Sequence, residues 1–170
     1  MKNVGYNEYL KEVLEQLPKG AFLTVKNGEQ LNTMTIGWGT VGYIWKMPVF
    51  MVLVRHSRHT YRLLEEAKEF TISIPLKNDF KKELALCGTK SGRDMDKIKE
   101  AKLNLLPAQT METPIIDGCG RYFECKVVYQ QSMEPSLLIP EIKGTAYKQG
   151  DYHVLYYGEI KASYINEDYI

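Results

Sequence analysis

Cysteine is scarce. Cys87, Cys119 and Cys125 are the only three among 170 residues. Their odd number, the absence of a CxxC pair and their irregular spacing argue against a disulfide framework; a reducing cytoplasm suits them. An excess of one charge is also missing: 22 Lys and Arg face 21 Asp and Glu, for a net charge of +1. That balance leaves no electrostatic footprint for nucleic acid or an anionic membrane. Apolar runs such as Pro48 to Val54 are far too short to span a bilayer. The opening segment, MKNVGYNEYLKEVLEQL, interleaves charged and apolar residues and is not expected to be a secretory signal. Histidine occurs only at positions 56, 59 and 153. His56-x-x-His59 has no supporting cysteine or carboxylate spacing, so no metal site is expected. No Ser/His/Asp or Cys/His order points to nucleophilic catalysis, and Cys87 reads as a small buried hydrophobe. Gly37-Trp38-Gly39-Thr40-Val41-Gly42 has the GxGxxG spacing, but a strand-like run rather than a helix follows it, so no Rossmann nicotinamide site is marked, and the GxxxxGK[ST] spacing of a P-loop is absent. With no repeat and no Pro/Gly/Ser linker, residues 1–170 read as one domain.

What is present is a succession of short strands. Tyr9, Leu10, Val13, Leu14 and Leu17 follow helical spacing, which predicts an amphipathic first helix over 6–17, stopped by Pro18 and Gly20. Ala21–Val25 and Leu31–Trp38 flank Lys26-Asn27-Gly28-Glu29, and Asn-Gly favours a type I′ hairpin turn. The apolar Pro48–Arg55 run predicts a strand buried on both faces. A short helix over 59–68, a strand over 69–74, and helices over 79–86 and 94–102 follow. Strands return over Arg121–Gln131 and Tyr152–Tyr164. About six strands joined mainly through turns favour a closed or nearly closed antiparallel barrel, mainly β with helical additions, over a doubly wound sheet.

Three segments have the makings of a site for a phosphate-bearing aromatic ligand. In Asn32-Thr33-Met34-Thr35-Ile36-Gly37-Trp38, alternation puts Thr33, Thr35 and Gly37 on one strand face. Glycine permits close approach of a flat ring, and amides and hydroxyls can bond its polar edge. The same segment is also compatible with an ordinary barrel strand. In Arg55-His56-Ser57-Arg58-His59-Thr60-Tyr61-Arg62, two arginines and two hydroxyls meet a helix start, whose free N–H groups and dipole favour an anion. Ser57 or Thr60 is there a candidate N-cap, with Arg62 paired to Glu66. In Cys87-Gly88-Thr89-Lys90-Ser91-Gly92-Arg93-Asp94, two glycines allow a tight loop with amides facing a ligand. Ser91 and Asp94 can equally cap the next helix.

In this order the segments resemble the flavin reductase-like family of FMN-binding split barrels, and within it the flavoredoxin-type branch. The resemblance is carried by Asn32-Thr33-Met34-Thr35-x-Gly37-Trp38, by Arg55-x-x-Arg58-x-Thr60-Tyr61, and by Glu69–Pro75. It continues through Cys87-Gly88-x-x-Ser91-Gly92-Arg93-Asp94-x-Asp96-Lys97 and His153-x-x-x-x-Gly158-Glu159-Ile160. It spans residues 20 to 162. It implies a six-stranded Greek-key split barrel, a homodimer, and FMN near the subunit interface. By matching motif, Asn32, Thr33, Met34 and Thr35 would line the flavin. Arg55, Ser57, Arg58 and Thr60 would hold the phosphate and ribityl chain. Ser91 and Gly92 would close over the cofactor, with Cys87 and Lys97 nearby. His153 falls in a segment that helps place a nicotinamide in some relatives, but Tyr152 separates it from Asp151, so their Asp-His pairing is not reproduced.

The flavin would carry the chemistry, so no catalytic residue is expected. Three readings remain: an NAD(P)H-dependent flavin reductase, an FMN electron carrier reduced by a protein partner, and a ligand-binding barrel without flavin. NADH or NADPH is the expected donor in the first. In the first two, the partner is a small-molecule or protein redox partner.

Overall fold

In the computed structural model, which describes all 170 residues, every strand pairing is antiparallel. The strands are β1 (Lys2–Asn3), β2 (Ala21–Asn27), β3 (Gln30–Ile36), β4 (Gly39–Ile44), β5 (Met47–Arg55), β6 (Glu69–Ile74), β7 (Leu105–Leu106), β8 (Ile115–Ile116), β9 (Arg121–Ser132) and β10 (His153–Ile165). The helices are α1 (Leu10–Gln16), α2 (His59–Ala67), α3 (Lys81–Thr89), α4 (Lys97–Glu100) and α5 (Pro140–Ala146). The main sheet runs β3-β2-β6-β9-β10-β5-β4, with β1 added on β10; β7 and β8 form a separate ribbon. Consecutive strands β5 and β6 are separated in the sheet by β10 and β9, a Greek-key-like crossing. β3 and β4 follow each other in the chain but share no ladder. The sheet curls until β3 lies against β5, and the barrel is split there.

The six strands read from the sequence are β2, β3, β5, β6, β9 and β10, and β4 is an addition at the sheet edge. Gly39 and Gly42 weaken its strand signal. The hairpin around Gly28 forms as expected, but only Gly28 has positive φ, at 57°. A type I′ turn needs two such residues; glycine at the first loop position is the type II′ arrangement. The two-residue turn between β4 and β5 does have two, at Trp45 (φ 53°) and Lys46 (φ 61°). The first helix is shorter than predicted: Tyr9, in the left-handed region at φ 58°, precedes its start, and a 3-10 turn over Leu17–Lys19 follows it.

The barrel interior packs Phe50, Val52, Val54, Phe70, Ile72 and Phe123, with Val13 and Leu17 sealing one end. A second apolar cluster, including Phe22, Leu84, Cys87, Ile116, Tyr122 and Tyr164, joins α3 and the β7–β8 ribbon to the sheet's outer face. β5 was expected to be buried on both faces. Instead Val52 and Val54 are buried while Met51 and Leu53 are half-buried, because the outer face of β5 borders the split. Close approach dictates Gly158: a Cβ there would lie 2.6 Å from the Phe70 ring and 2.7 Å from Cys125 Cβ. All three cysteines are buried and unpaired.

Candidate functional site

A cleft opens at the split. Its floor is Met34, Thr35 and Ile36 of β3, its far wall Leu53 and Arg55 of β5, and its mouth Gly37, Trp38 and His153; Arg58 closes one end. Only β2 pairs with β3, so alternate amides and carbonyls of β3 have no ladder partner on the cleft side. This edge offers backbone donors and acceptors to a flat ligand. Trp38 is half-exposed, and its ring lies 5.3 Å from that of His153.

Beyond Arg58 a second depression continues. Met34, Ser57, His59, Thr60, Cys87, the loop from Thr89 to Arg93, and Lys97 line it. It is strongly electropositive. Arg58, Arg93 and Lys97 take part in none of the protein's ion pairs. Their contacts are to main-chain oxygens: Arg58 Nη1 donates to Gly88 O at 2.9 Å, Arg93 Nη1 to Ser57 O at 2.9 Å, and Lys97 Nζ to Cys87 O at 3.1 Å. Lys97 is only 4% exposed. Burial pulls its amine down to about 8, with the Arg58 charge adding to the shift and Cys87 opposing it. Burial likewise pushes the Cys87 thiol up to about 11, which keeps it protonated and inert. His59 is pulled below the ordinary histidine value by burial and by Arg93, Lys97 and Arg62, and its buried Nδ1 has no hydrogen-bond partner. Uncompensated cations, an orphaned polar atom and the free amides at the start of α2 fit a phosphate group.

The predicted residues divide into groups. Met34, Thr35, Arg55 and Arg58 line the cleft, and Ser57, Thr60, Cys87, Ser91, Gly92 and Lys97 line the depression beside it. Asn32 borders that depression: its Nδ2 donates to Thr60 Oγ1 at 2.7 Å. Thr33 is fully buried on the sheet's outer face, where its hydroxyl donates to Leu23 O at 3.2 Å and accepts from Thr24 Oγ1 at 3.1 Å. Thr35 donates to Leu84 O at 2.6 Å, which fastens α3 over β3. Gly92 presses so closely on Asn32 and His59 that any Cβ would overlap Asn32 Oδ1.

The helix caps differ from the expected ones. Arg58, in extended conformation, precedes α2 and no side chain caps it. Glu66 accepts from Asn27 rather than from Arg62. Asp96, not Ser91 or Asp94, caps α4 by accepting from Lys99 N at 3.1 Å.

Sequence reading also missed a strap. Residues 146–153 fold back over the start of α2. Arg55 donates to Ala146 O and Asp151 O, at 3.1 and 2.6 Å. Ser57 donates its amide and hydroxyl to the Asp151 carboxylate, at 3.1 and 2.7 Å. The Arg55 guanidinium also lies 5.2 Å from the Tyr147 ring centroid. No local pattern signals these contacts, which join residues more than ninety positions apart. His153 is 7% exposed, and its Nδ1 lies 2.7 Å from Tyr147 Oη. Burial, aided by Arg55, draws its imidazole down to about 4.

The unfolded chain therefore takes up a proton at His153 near pH 6.5 that the folded protein refuses until about pH 4. His153 costs no stability above pH 6.5, and its penalty grows as pH falls from there towards 4. In melting curves across that window, His153→Gln is expected to flatten part of the acid-side loss of stability. An unchanged slope would contradict the assignment.

The flavin reductase like domain family model matches residues 16–169. The chain belongs to this family. An uncharacterised protein of Archaeoglobus fulgidus is 30% identical over 158 residues, covering 89% of this chain and 88% of its own. Flavoredoxin from Methanosarcina acetivorans superposes with a TM-score of 0.67 at 24% identity, over 89% of this chain and 70% of that one. A putative flavin reductase with a split barrel domain from Shewanella frigidimarina superposes at 0.68 with 12% identity, over 88% of this chain and 67% of that one. The fold is thus the mainly β, antiparallel split barrel that the motifs implied. No helix is long and apolar enough to cross a membrane.

Proposed function

We propose that the chain binds FMN across the split of the barrel and passes electrons from NADH or NADPH through it, as a flavin reductase-type oxidoreductase of the cytoplasm. One observation carries this reading: a cleft floored by the unpaired edge of β3 leads directly into a pocket of unpaired cations at the start of α2. A flat heterocycle suits the first and a phosphate the second. When bound, flavin accepts a hydride and releases electrons singly or in pairs.

The chain's own residues supply position and charge. Amides of the 34–37 segment would be available to the ring's polar edge. Arg58, Arg93 and Lys97, with the free His59 and Thr60 amides, would hold the phosphate. Asn32 fixes Thr60, Thr35 fixes α3, and Thr33 ties β3 to β2, so these three shape the site from behind. Arg55 and Ser57 act by fastening the strap. Trp38 and His153 flank the mouth, where a nicotinamide ring can rest against the flavin. His153 is neutral at physiological pH and accordingly adds no charge there.

Exposed aromatic surface supports a homodimer. Trp45 is 53% exposed and Tyr43 61%. Trp45 packs edge-on against Tyr129 and Tyr157, at 5.8 and 6.0 Å between ring centroids. The Trp45–Lys46 turn holds this indole outward in a conformation that costs a bulky residue about 1–3 kcal/mol. Such surface and such strain are in keeping with an interface.

The donor is tested by mixing FMN-loaded protein anaerobically with NADH or NADPH and following the bleaching of flavin absorbance. Rapid bleaching by at least one is expected. Inertness to both would remove the nicotinamide step and favour a carrier reduced by a protein partner.

A further inference from the structure

A further cleft, of about 440 Å³, lies beneath the strap. Asp151 is its only carboxylate, and the cations Arg55, Arg58 and Lys148 line it as well. Asp151 nevertheless belongs to none of the protein's ion pairs. Arg55 reaches it, but donates to its main-chain oxygen at 2.6 Å and leaves the carboxylate free. Tyr152 separates Asp151 from His153, and the two side chains part: the His153 ring meets Tyr147 Oη. The Asp151 carboxylate turns instead to the start of α2. There it accepts from Ser57 N at 3.1 Å and from Ser57 Oγ at 2.7 Å.

This carboxylate is held in place from several sides. Gly150 (φ 74°) and Asp151 (φ 54°) are successive left-handed residues, a conformation that aspartate takes more readily than most side chains. Arg55 ties both ends of the turn, through Ala146 O and Asp151 O. His56 N donates to Tyr152 O at 3.3 Å.

Ser57 and Arg58 line the phosphate pocket as well as this cleft, so the two share a wall. A helix start attracts an anion through its free amides and its dipole. Here an anion of the chain's own already stands beside that start. It takes both donors of Ser57, and the amides left free are those of His59 and Thr60.

Resting on the flavin reading above, we propose that Asp151 is a specificity-determining residue of the phosphate site: its carboxylate engages Ser57 donors that a phosphate could use and repels the dianion, which narrows the chain's preference for FMN over riboflavin. Asp151 is exposed, so water and salt screen the repulsion and its effect is modest.

The test is the ratio of FMN to riboflavin affinity, measured by fluorescence titration on the parent, Asp151→Asn and Asp151→Gly. Asparagine keeps an oxygen for the Ser57 amide and tolerates positive φ, so the strap stays fastened while the charge is lost. Glycine suits the same φ and frees both Ser57 donors. Because riboflavin lacks the phosphate, any general loosening of the strap acts on both ligands and leaves the ratio unmoved. Asp151→Asn is expected to raise the ratio by about three- to tenfold at low ionic strength, and the gain should shrink as salt is added. Asp151→Gly should raise it at least as far. A ratio that stays the same or falls in Asp151→Asn would overturn the inference and leave Asp151 a fastener of the strap. A parent chain that binds neither flavin would remove the flavin reading, and this inference with it.

Discussion

Arg58→Ala should weaken FMN by roughly 10- to 100-fold and leave riboflavin nearly unchanged. Arg58 is the one side chain that borders the ring cleft, the phosphate pocket and the cleft under the strap. Its guanidinium meets no carboxylate, and one of its donors rests on Gly88 O. A dianionic phosphate placed there gains a charge-assisted hydrogen bond in a half-buried setting, which is worth about 1.5–3 kcal/mol. Riboflavin lacks the phosphate and so lacks that gain. Fluorescence titration of both ligands against both proteins gives the comparison. Equal weakening of FMN and riboflavin would place Arg58 on the ring or on the loop fold, and would contradict the phosphate assignment. Arg55→Ala is a useful contrast. Its donors are engaged by the strap, so its loss should disturb the loop around Asp151 and affect FMN less than loss of Arg58.

Trp45→Gly is expected to turn a dimer into a monomer while the fold survives. Aromatic anchors at the centre of an interface commonly contribute 2 kcal/mol or more, enough to shift a micromolar dimer towards monomer. The substitution also suits the turn, because glycine takes positive φ without the penalty a tryptophan bears at φ 53°. Loss of folding therefore does not confound the result. Sedimentation of the parent and the variant at micromolar concentration decides the matter. A parent that sediments as a monomer, or a variant that remains dimeric, would contradict the interface.

The legible and illegible parts of the molecule differ in range. Six strands announced themselves through β-branched and apolar runs bounded by turn residues, and each is present. β4 did not, because Gly39 and Gly42 dilute its pattern and its turn uses Trp45 and Lys46 in place of glycine or asparagine. The gathering of Arg58 and Thr60 at the start of α2 was readable because they and the helix onset are neighbours in sequence. The role of Arg55 and Ser57 was not readable in the same way, since their partners, Ala146 and Asp151, arrive from the far end of the chain. Thr33 shows the limit of alternation: the period of two predicts that it shares a face with Thr35, but not that Thr24 and Leu23 would be its partners. Asp96 took the cap expected of Ser91 or Asp94 because α4 begins only at Lys97.

Flavin in the split of the barrel is the claim on which the rest depends, and a titration of the purified, cofactor-stripped chain with FMN tests it most directly. Quenching of flavin fluorescence should saturate at one FMN per chain at micromolar concentrations, and inorganic phosphate should compete with FMN while leaving riboflavin binding almost untouched. A chain that neither retains flavin on purification nor takes up added FMN would contradict it.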